Sequence, residues 1–260
     1  MNTIEKTIEL LNTSYSPFHV VKNIEEELKA KGFIPLCENR NYNLELGKSY
    51  FVKRNDSSII AFRLPQKITT DFHFQITASH TDSPTFKIKP NPIIRKENVI
   101  LLNTEPYGGL IYNTWLDKPL SFAGRVMVRQ KDRIETRLLS IDEDILIIPN
   151  LAIHMNRAAN DGVKLLANVD TLPLWGMQAA AGGFRAQVAA AAGVEPSAVL
   201  GEDLSLYVRA RGCTFGAKQE FILAPRMDDL ACVFGLLEGF CAAKESASVP
   251  VFCAFDNEEV

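Results

Sequence analysis

Three short acidic stretches carry the residue types of metal chemistry. In ASHTDSP, His80 and Asp82 are two apart at the end of a predicted strand. While the backbone is extended, that spacing puts both on one face. A carboxylate so placed can orient the imidazole of a metal-bound histidine; the alternative is a surface hydrogen bond. In APRMDDLAC, Asp228 and Asp229 stand at a loop-to-helix junction. Aspartate there either caps the helix or offers a carboxylate that bridges two metals. In FDNEEV, Glu258 and Glu259 come after an apolar run. One can hold a metal while the other handles a proton, and the alternative is a solvated acidic turn. Adjacent strand residues point to opposite faces, so both glutamates can serve one site only if the strand has ended and turned.

Only four histidines are present. His154, in IPNLAIHMNR between Ile153 and Met155, reads on its own as a half-buried structural residue. His73 and His19 also read as structural, and Lys87 and Lys89 as the exposed side of a strand. One histidine with an aspartate and two glutamates is a hard and borderline ligand set suited to Zn2+, and Co2+ or Mn2+ fill the same ligands.

The elements that must position these residues are set by periodicity. Ile4, Ile8 and Leu11, then Val20, Val21, Ile24 and Leu28, recur at helical spacing on either side of Ser16-Pro17. Strands are predicted at SYFVKR, SSIIAFRL and FHFQITASH. From about Lys89 the texture changes to short β-type runs: NVILLN, GRVMVRQ, RIETRLLSI and ILIIPN. Residues 176–192 are alanine-rich and read as helical despite Gly182 and Gly183. Asp228 to Lys244 has one apolar helical face. After Pro250, VFCAF is an unbroken apolar run, which suits a strand covered on both faces in a parallel sheet. The organisation is an α/β domain, residues 1–88 and 217–260, interrupted by a β-rich insertion, residues 89–216. In such sheets ligands gather at the carboxyl ends of strands.

Composition narrows the class. A net charge of −3 gives no reason to expect nucleic acid or an anionic membrane as partner. No apolar run is long enough to span a bilayer, and the first residues lack the pattern of a signal peptide. Five scattered cysteines without a CxxC pair indicate a reduced, cytoplasmic protein with buried thiols.

Taken together, SPFHVV, SHTDSPTFKIKP, YGGLIYNTWLDKPLSFAGRV, IPNLAIHMNR, DTLPLWG, APRMDDLA and FDNEEV occur in the order found in the aspartyl aminopeptidase family of dinuclear zinc metallopeptidases, which the whole chain resembles. The resemblance implies a phosphorylase/hydrolase-like α/β/α catalytic domain and an inserted dimerisation domain. It implies hydrolysis of the N-terminal residue, acidic by the family name, from peptides, with two Zn2+ per site. His80, Asp228 and Glu259 would be metal ligands, Asp228 as the bridge. Asp82 would orient His80, and Glu258 would be the general base. His154 would reach a neighbouring subunit's site and stabilise the oxyanion. Related dinuclear peptidases can have a cis peptide after the bridging aspartate, so a cis or otherwise strained peptide is expected at Asp228–Asp229. The family assembles into dodecamers. Its members continue beyond the Glu-Glu motif and draw further ligands from there. The chain therefore reads as an N-terminal portion, incomplete at its C-terminus and inactive alone, or else as a non-catalytic assembly subunit.

Overall fold

The structure, a computed structural model, describes residues 2–180, 182–244 and 248–260. In chain order its elements begin with helices α1 (Thr3–Thr13) and α2 (Pro17–Ala30). Strands β1 (Ile34–Leu36), β2 (Ser49–Arg54), β3 (Ser58–Arg63) and β4 (Phe74–His80) come after them. Next come β5 (Thr85–Lys96), β6 (Val99–Tyr107), β7 (Leu120–Gln130), β8 (Arg133–Ser140), β9 (Leu174–Met177), α3 (Phe184–Ala192) and β10 (Val199–Val208). The last are β11 (Cys213–Phe215), β12 (Phe221–Leu223), α4 (Met227–Ala242) and β13 (Val249–Phe255). Contacts divide the chain into two compact units, Met1–Ser83 with Arg211–Val260, and Pro84–Ala210. The change of texture in the sequence puts these junctions at 88/89 and 216/217; β5 runs unbroken from Thr85, which draws the first junction back to the loop before it.

The first unit is built on a five-stranded mixed sheet of order β1-β2-β3-β13-β4. The two N-terminal helices form where periodicity put them. Asn2 and Glu5 close a capping box on α1, and Pro17 opens α2 where a missing N–H costs nothing. Leu11, Val21, Ile24 and Leu28 of these helices and Leu230, Val233, Phe234 and Leu237 of α4 join Phe51, Ile59, Ala61 and Phe252 of the sheet in one core. Phe51, Ala61 and Phe252 are register partners across β2, β3 and β13, so they share one face, and that face receives the helices. The sheet is mixed rather than fully parallel: β13 runs parallel to β4 but antiparallel to β3. The apolar run of β13 is covered on both faces, with Phe252 and Ala254 buried on one and Val249 and Cys253 on the other, where Val251 is half-buried. Beside it, Ile76 of β4 is 63% exposed.

The second unit is a six-stranded sheet of order β8-β7-β10-β5-β6-β9, with antiparallel pairing throughout. Its core gathers Phe86, Leu102, Phe122, Val126 and Leu206 from the strands with Phe184 and Val188 from α3. Gly124 in β7 allows a close approach: a Cβ there would lie 2.0 Å from the Asp203 carbonyl oxygen of β10.

Three expectations need correction. Residues 176–192 are not one helix. Leu174–Met177 pairs with β6, a 3-10 turn comes next, and α3 begins only at Phe184, after the two glycines that disfavour helix; Ala181 lies outside the described residues. ILIIPN forms isolated bridges from Leu146, Ile147 and Ile148 to three different partners rather than a strand. The thiols are free, but Cys37, Cys213 and Cys232 are exposed and only Cys253 is buried. Among the described residues no helix is long and apolar enough to cross a membrane.

Candidate metal centre

β4 and β13 are parallel neighbours that end together: His80, the last residue of β4, is the register partner of Phe255, the last of β13. The loops that leave the two strands therefore emerge at one edge of the sheet, the carboxyl edge where α/β sheets place their ligands. After β4 comes the buried pair Thr81 and Asp82. The Thr81 N–H donates to the Phe255 carbonyl at 2.7 Å, and its hydroxyl donates to the Ser57 carbonyl, also at 2.7 Å. After β13 the chain turns sharply. Asp256 N–H donates to Ser58 Oγ at 2.9 Å, and Asn257 takes a left-handed conformation with φ of 68° while its N–H donates to the Asp256 carboxylate. That turn is the condition under which two adjacent glutamates can serve one place.

Asp82 ties the two strand ends together. Its side chain is 1% exposed. One oxygen accepts the Glu259 N–H at 3.1 Å, and the other lies 3.4 Å from the Glu258 nitrogen and 3.3 Å from His80 Nδ1. His80 Nδ1 also lies 3.1 Å from the Asp82 carbonyl oxygen. Both neighbours of Nδ1 are acceptors, which suits a proton there, and Nε2 faces the other side.

On that other side are carboxylates. Nε2 is 3.6 Å from Asp228 Oδ1, 3.8 Å from Asp229 Oδ2 and 3.8 Å from Glu258 Oε2. These distances are beyond hydrogen bonding, and several carboxylates around one ring nitrogen repel one another unless positive charge, from a bound cation or a second ring proton, sits among them. His80 with Asp228 and Asp229, and His80 with Glu258 and Glu259, each offer ligand atoms within 4.8 Å of one another. One imidazole nitrogen with several carboxylate oxygens is a donor set that fits Zn2+, and Mn2+ or Co2+ equally.

The head of α4 supplies the two aspartates. The Asp228–Asp229 peptide is cis, as the resemblance implies. Neither residue has helical dihedrals, and Arg226, which precedes the helix in a left-handed conformation, makes no side-chain cap. The capping alternative thus fails for Asp229, whose carboxylate instead accepts the His80 backbone N–H at 3.1 Å. The Ser83 hydroxyl donates to the Asp228 carbonyl at 2.7 Å. The Asp229 carboxylate also takes a hydrogen bond from Cys232 and pushes that thiol's pKa up.

Of the residues singled out in the sequence, the structure brings together His80, Asp82, Asp228, Glu258 and Glu259. Asp229, the second member of the Asp-Asp doublet, belongs with them, and so does Ser83, which nothing in the sequence singled out. His154 lies in the second unit, exposed, in a turn closed by the Met155 N–H and the Ala152 carbonyl at 2.8 Å. His19 is structural: it is 9% exposed, pairs with Ser16 Oγ at 2.8 Å, and burial lowers its pKa to about 4, with Lys22 and Arg226 adding to the effect.

Comparison with known proteins bears on this cluster. Residues 10–260 match the family model described as aminopeptidase I zinc metalloprotease (M18). A probable M18 family aminopeptidase 2 of Clostridium acetobutylicum is 44% identical over 98% of the chain, and the chain spans 61% of that relative's length. Among solved structures, an Ape4–Nbr1 complex superposes with a TM-score of 0.94 at 31% identity, covering 99% of this chain and 55% of that one. The S. cerevisiae mApe1 dodecamer does so with a TM-score of 0.83 at 25% identity, covering 98% and 60%. The chain is therefore a member of the M18 family of aminopeptidase I zinc metalloproteases.

Proposed function

We propose that the His80 cluster is the metal site of an aminopeptidase that removes N-terminal residues, acidic ones among them, from peptides with two zinc ions. The observation that carries this reading is the convergence of His80 Nε2 with carboxylate oxygens of Asp228 and Glu258, 3.6 and 3.8 Å away, at the carboxyl edge of the sheet. His80, Asp228 and Glu259 hold the metal in this reading. When bound, zinc supplies a Lewis acid for the scissile carbonyl and lowers the pKa of water.

The other roles fall to the chain's own groups. Asp82 holds the His80 proton on Nδ1 and so keeps Nε2 open. Its grip on the Glu259 amide fixes the turn that carries both glutamates. Glu258, with a side chain 64% exposed, faces the open side of the cluster, where a substrate must arrive. Its carboxylate takes a proton from the attacking water and delivers it to the leaving amine, a transfer that needs a base with room to move between two positions.

The second unit, close to the β-rich insertion expected at 89–216, serves self-association in this proposal, and the assembly is a dodecamer like that of the S. cerevisiae relative. Leu151, Ile153 and Met155 around His154 are 60%, 46% and 75% exposed, an apolar surface of the kind that marks protein contacts. His154 acts from there as an oxyanion donor to the site of another subunit. Five free cysteines suit a reducing, cytoplasmic setting. Because the chain spans 61% of the length of its Clostridium acetobutylicum relative, the test uses the whole assembled enzyme: zinc-loaded, it is incubated with matched free-amine and N-acetylated peptides. Release of the first residue from the free-amine peptides alone is expected. Cleavage of the acetylated series would point to a deacylase instead, and cleavage of neither would refute the proposal.

A further inference from the structure

Asp229 stands in the cluster by distance, with Oδ2 3.8 Å from His80 Nε2, so geometry alone admits it as a metal ligand beside Asp228. Its bonds argue otherwise. We propose that Asp229 and Ser83 are positioning residues that lock the His80 and Asp228 donors against each other, and that Asp229 is not a ligand. The proposal rests on the metal reading above and deepens it.

The two aspartates are adjacent but face different surroundings. The Asp228 side chain is 78% exposed and turned toward the open side of the cluster, whereas that of Asp229 is 17% exposed. Asp229 Oδ2 is already committed to the His80 backbone N–H. A carboxylate that is mostly buried and has one oxygen held by a backbone donor is placed to brace the loop rather than to move onto a metal.

Ser83 makes the reciprocal link. Its hydroxyl donates to the Asp228 carbonyl, so the loop after β4 and the head of α4 are joined twice. In one link a side chain of α4 holds the backbone of His80; in the other a side chain of the loop holds the backbone of Asp228. The partners are 149 and 145 residues apart in the chain, so their separation is set by tertiary contacts, to which these two bonds add at the site itself. Each link ends on the backbone of a proposed ligand. Together they set where Nε2 and the Asp228 carboxylate stand relative to one another.

The test separates bracing from ligation by chemistry. Asparagine retains an oxygen that can accept the His80 N–H but is a far weaker metal ligand than a carboxylate. Zinc affinity of the chain is measured by competition with a chromophoric chelator for wild type, Asp229→Asn, Asp229→Ala and Ser83→Ala, with folding checked by circular dichroism. Bracing predicts that Asp229→Ala and Ser83→Ala each weaken affinity about 10- to 100-fold while Asp229→Asn stays within about threefold of wild type. Equal losses for Asp229→Asn and Asp229→Ala would make Asp229 a ligand and overturn the proposal; no loss in Asp229→Ala would also overturn it. A second readout needs no metal. Hydrogen exchange of the His80 amide in the zinc-free chain should accelerate in Asp229→Ala and not in Asp229→Asn, and unchanged exchange in both would refute the brace. If wild type binds no zinc, the metal reading fails, and the exchange experiment then decides the brace alone.

Discussion

Replacing Asp82 by alanine probes the hinge of the whole site. Its carboxylate is buried, accepts the Glu259 N–H at 3.1 Å and faces His80 Nδ1 at 3.3 Å. The Glu258 nitrogen, at 3.4 Å, is at the edge of hydrogen-bond range and contributes little. A bond to an ionised acceptor is worth about 1.5–3 kcal/mol, and an amide left without its partner carries most of that cost. The amide is only part-buried, so water can recover some of the loss. The expected destabilisation is about 2 kcal/mol, a sizeable share of the ordinary stability of a domain. Urea unfolding at neutral pH reads it directly. Zinc affinity should fall as well, by about 10- to 100-fold, because the glutamate turn loses its anchor and His80 Nδ1 loses the nearby carboxylate, keeping only the backbone carbonyl of residue 82 at 3.1 Å. A midpoint within experimental error of wild type together with unchanged zinc affinity would refute the claim that Asp82 joins the two strand ends.

Three further outcomes rest on particular contacts. His19 titrates near 4 in the fold but near 6.5 when unfolded, so the unfolded chain binds the extra proton between those values and stability falls as pH drops through that window. From pH 7.5 to pH 5 the loss should be about 2 kcal/mol, and His19→Gln should flatten that dependence in urea titrations. Gly124→Ala would drive a methyl to 2.0 Å from the Asp203 carbonyl oxygen, so β7 and β10 must part; a cost of about 3–5 kcal/mol, seen as a large drop in melting temperature, is expected. In the assembled, active enzyme His154→Ala should lower kcat about 100- to 1000-fold with metal content unchanged, and mixing it with Glu258→Ala should partly restore activity through mixed oligomers. Confirmed subunit exchange without recovery would show that His154 does not act in another subunit's site.

Much of this was legible in the residues. The N-terminal helices, β2, β3, β4 and α4 were set by periodicity and turn chemistry, and the strand-end placement of His80 and Glu258 came with them. The hidden part is tertiary. For Asp229 the sequence leaves capping and metal bridging both open, because aspartate at a loop-to-helix junction can do either; its partner is the backbone of a residue 149 positions away. Ser83 gave no signal because a hydroxyl that bonds a distant carbonyl has no periodicity. The alanine-rich stretch misled because Leu174–Met177 gains more as a strand on β6 than as a helical turn, and two glycines then delay α3. The mixed sheet was missed because an apolar run reports burial, not strand direction.

Zinc binding by His80→Ala tests the central claim most directly. His80 supplies the one nitrogen donor of the cluster among the described residues, and its Nε2 faces carboxylate oxygens of Asp228, Asp229 and Glu258 at 3.6–3.8 Å. Competition titration of the folded chain should show zinc bound by wild type and an affinity at least about 10-fold weaker in His80→Ala. Equal affinity in the two proteins, or no zinc bound by either, would contradict the account.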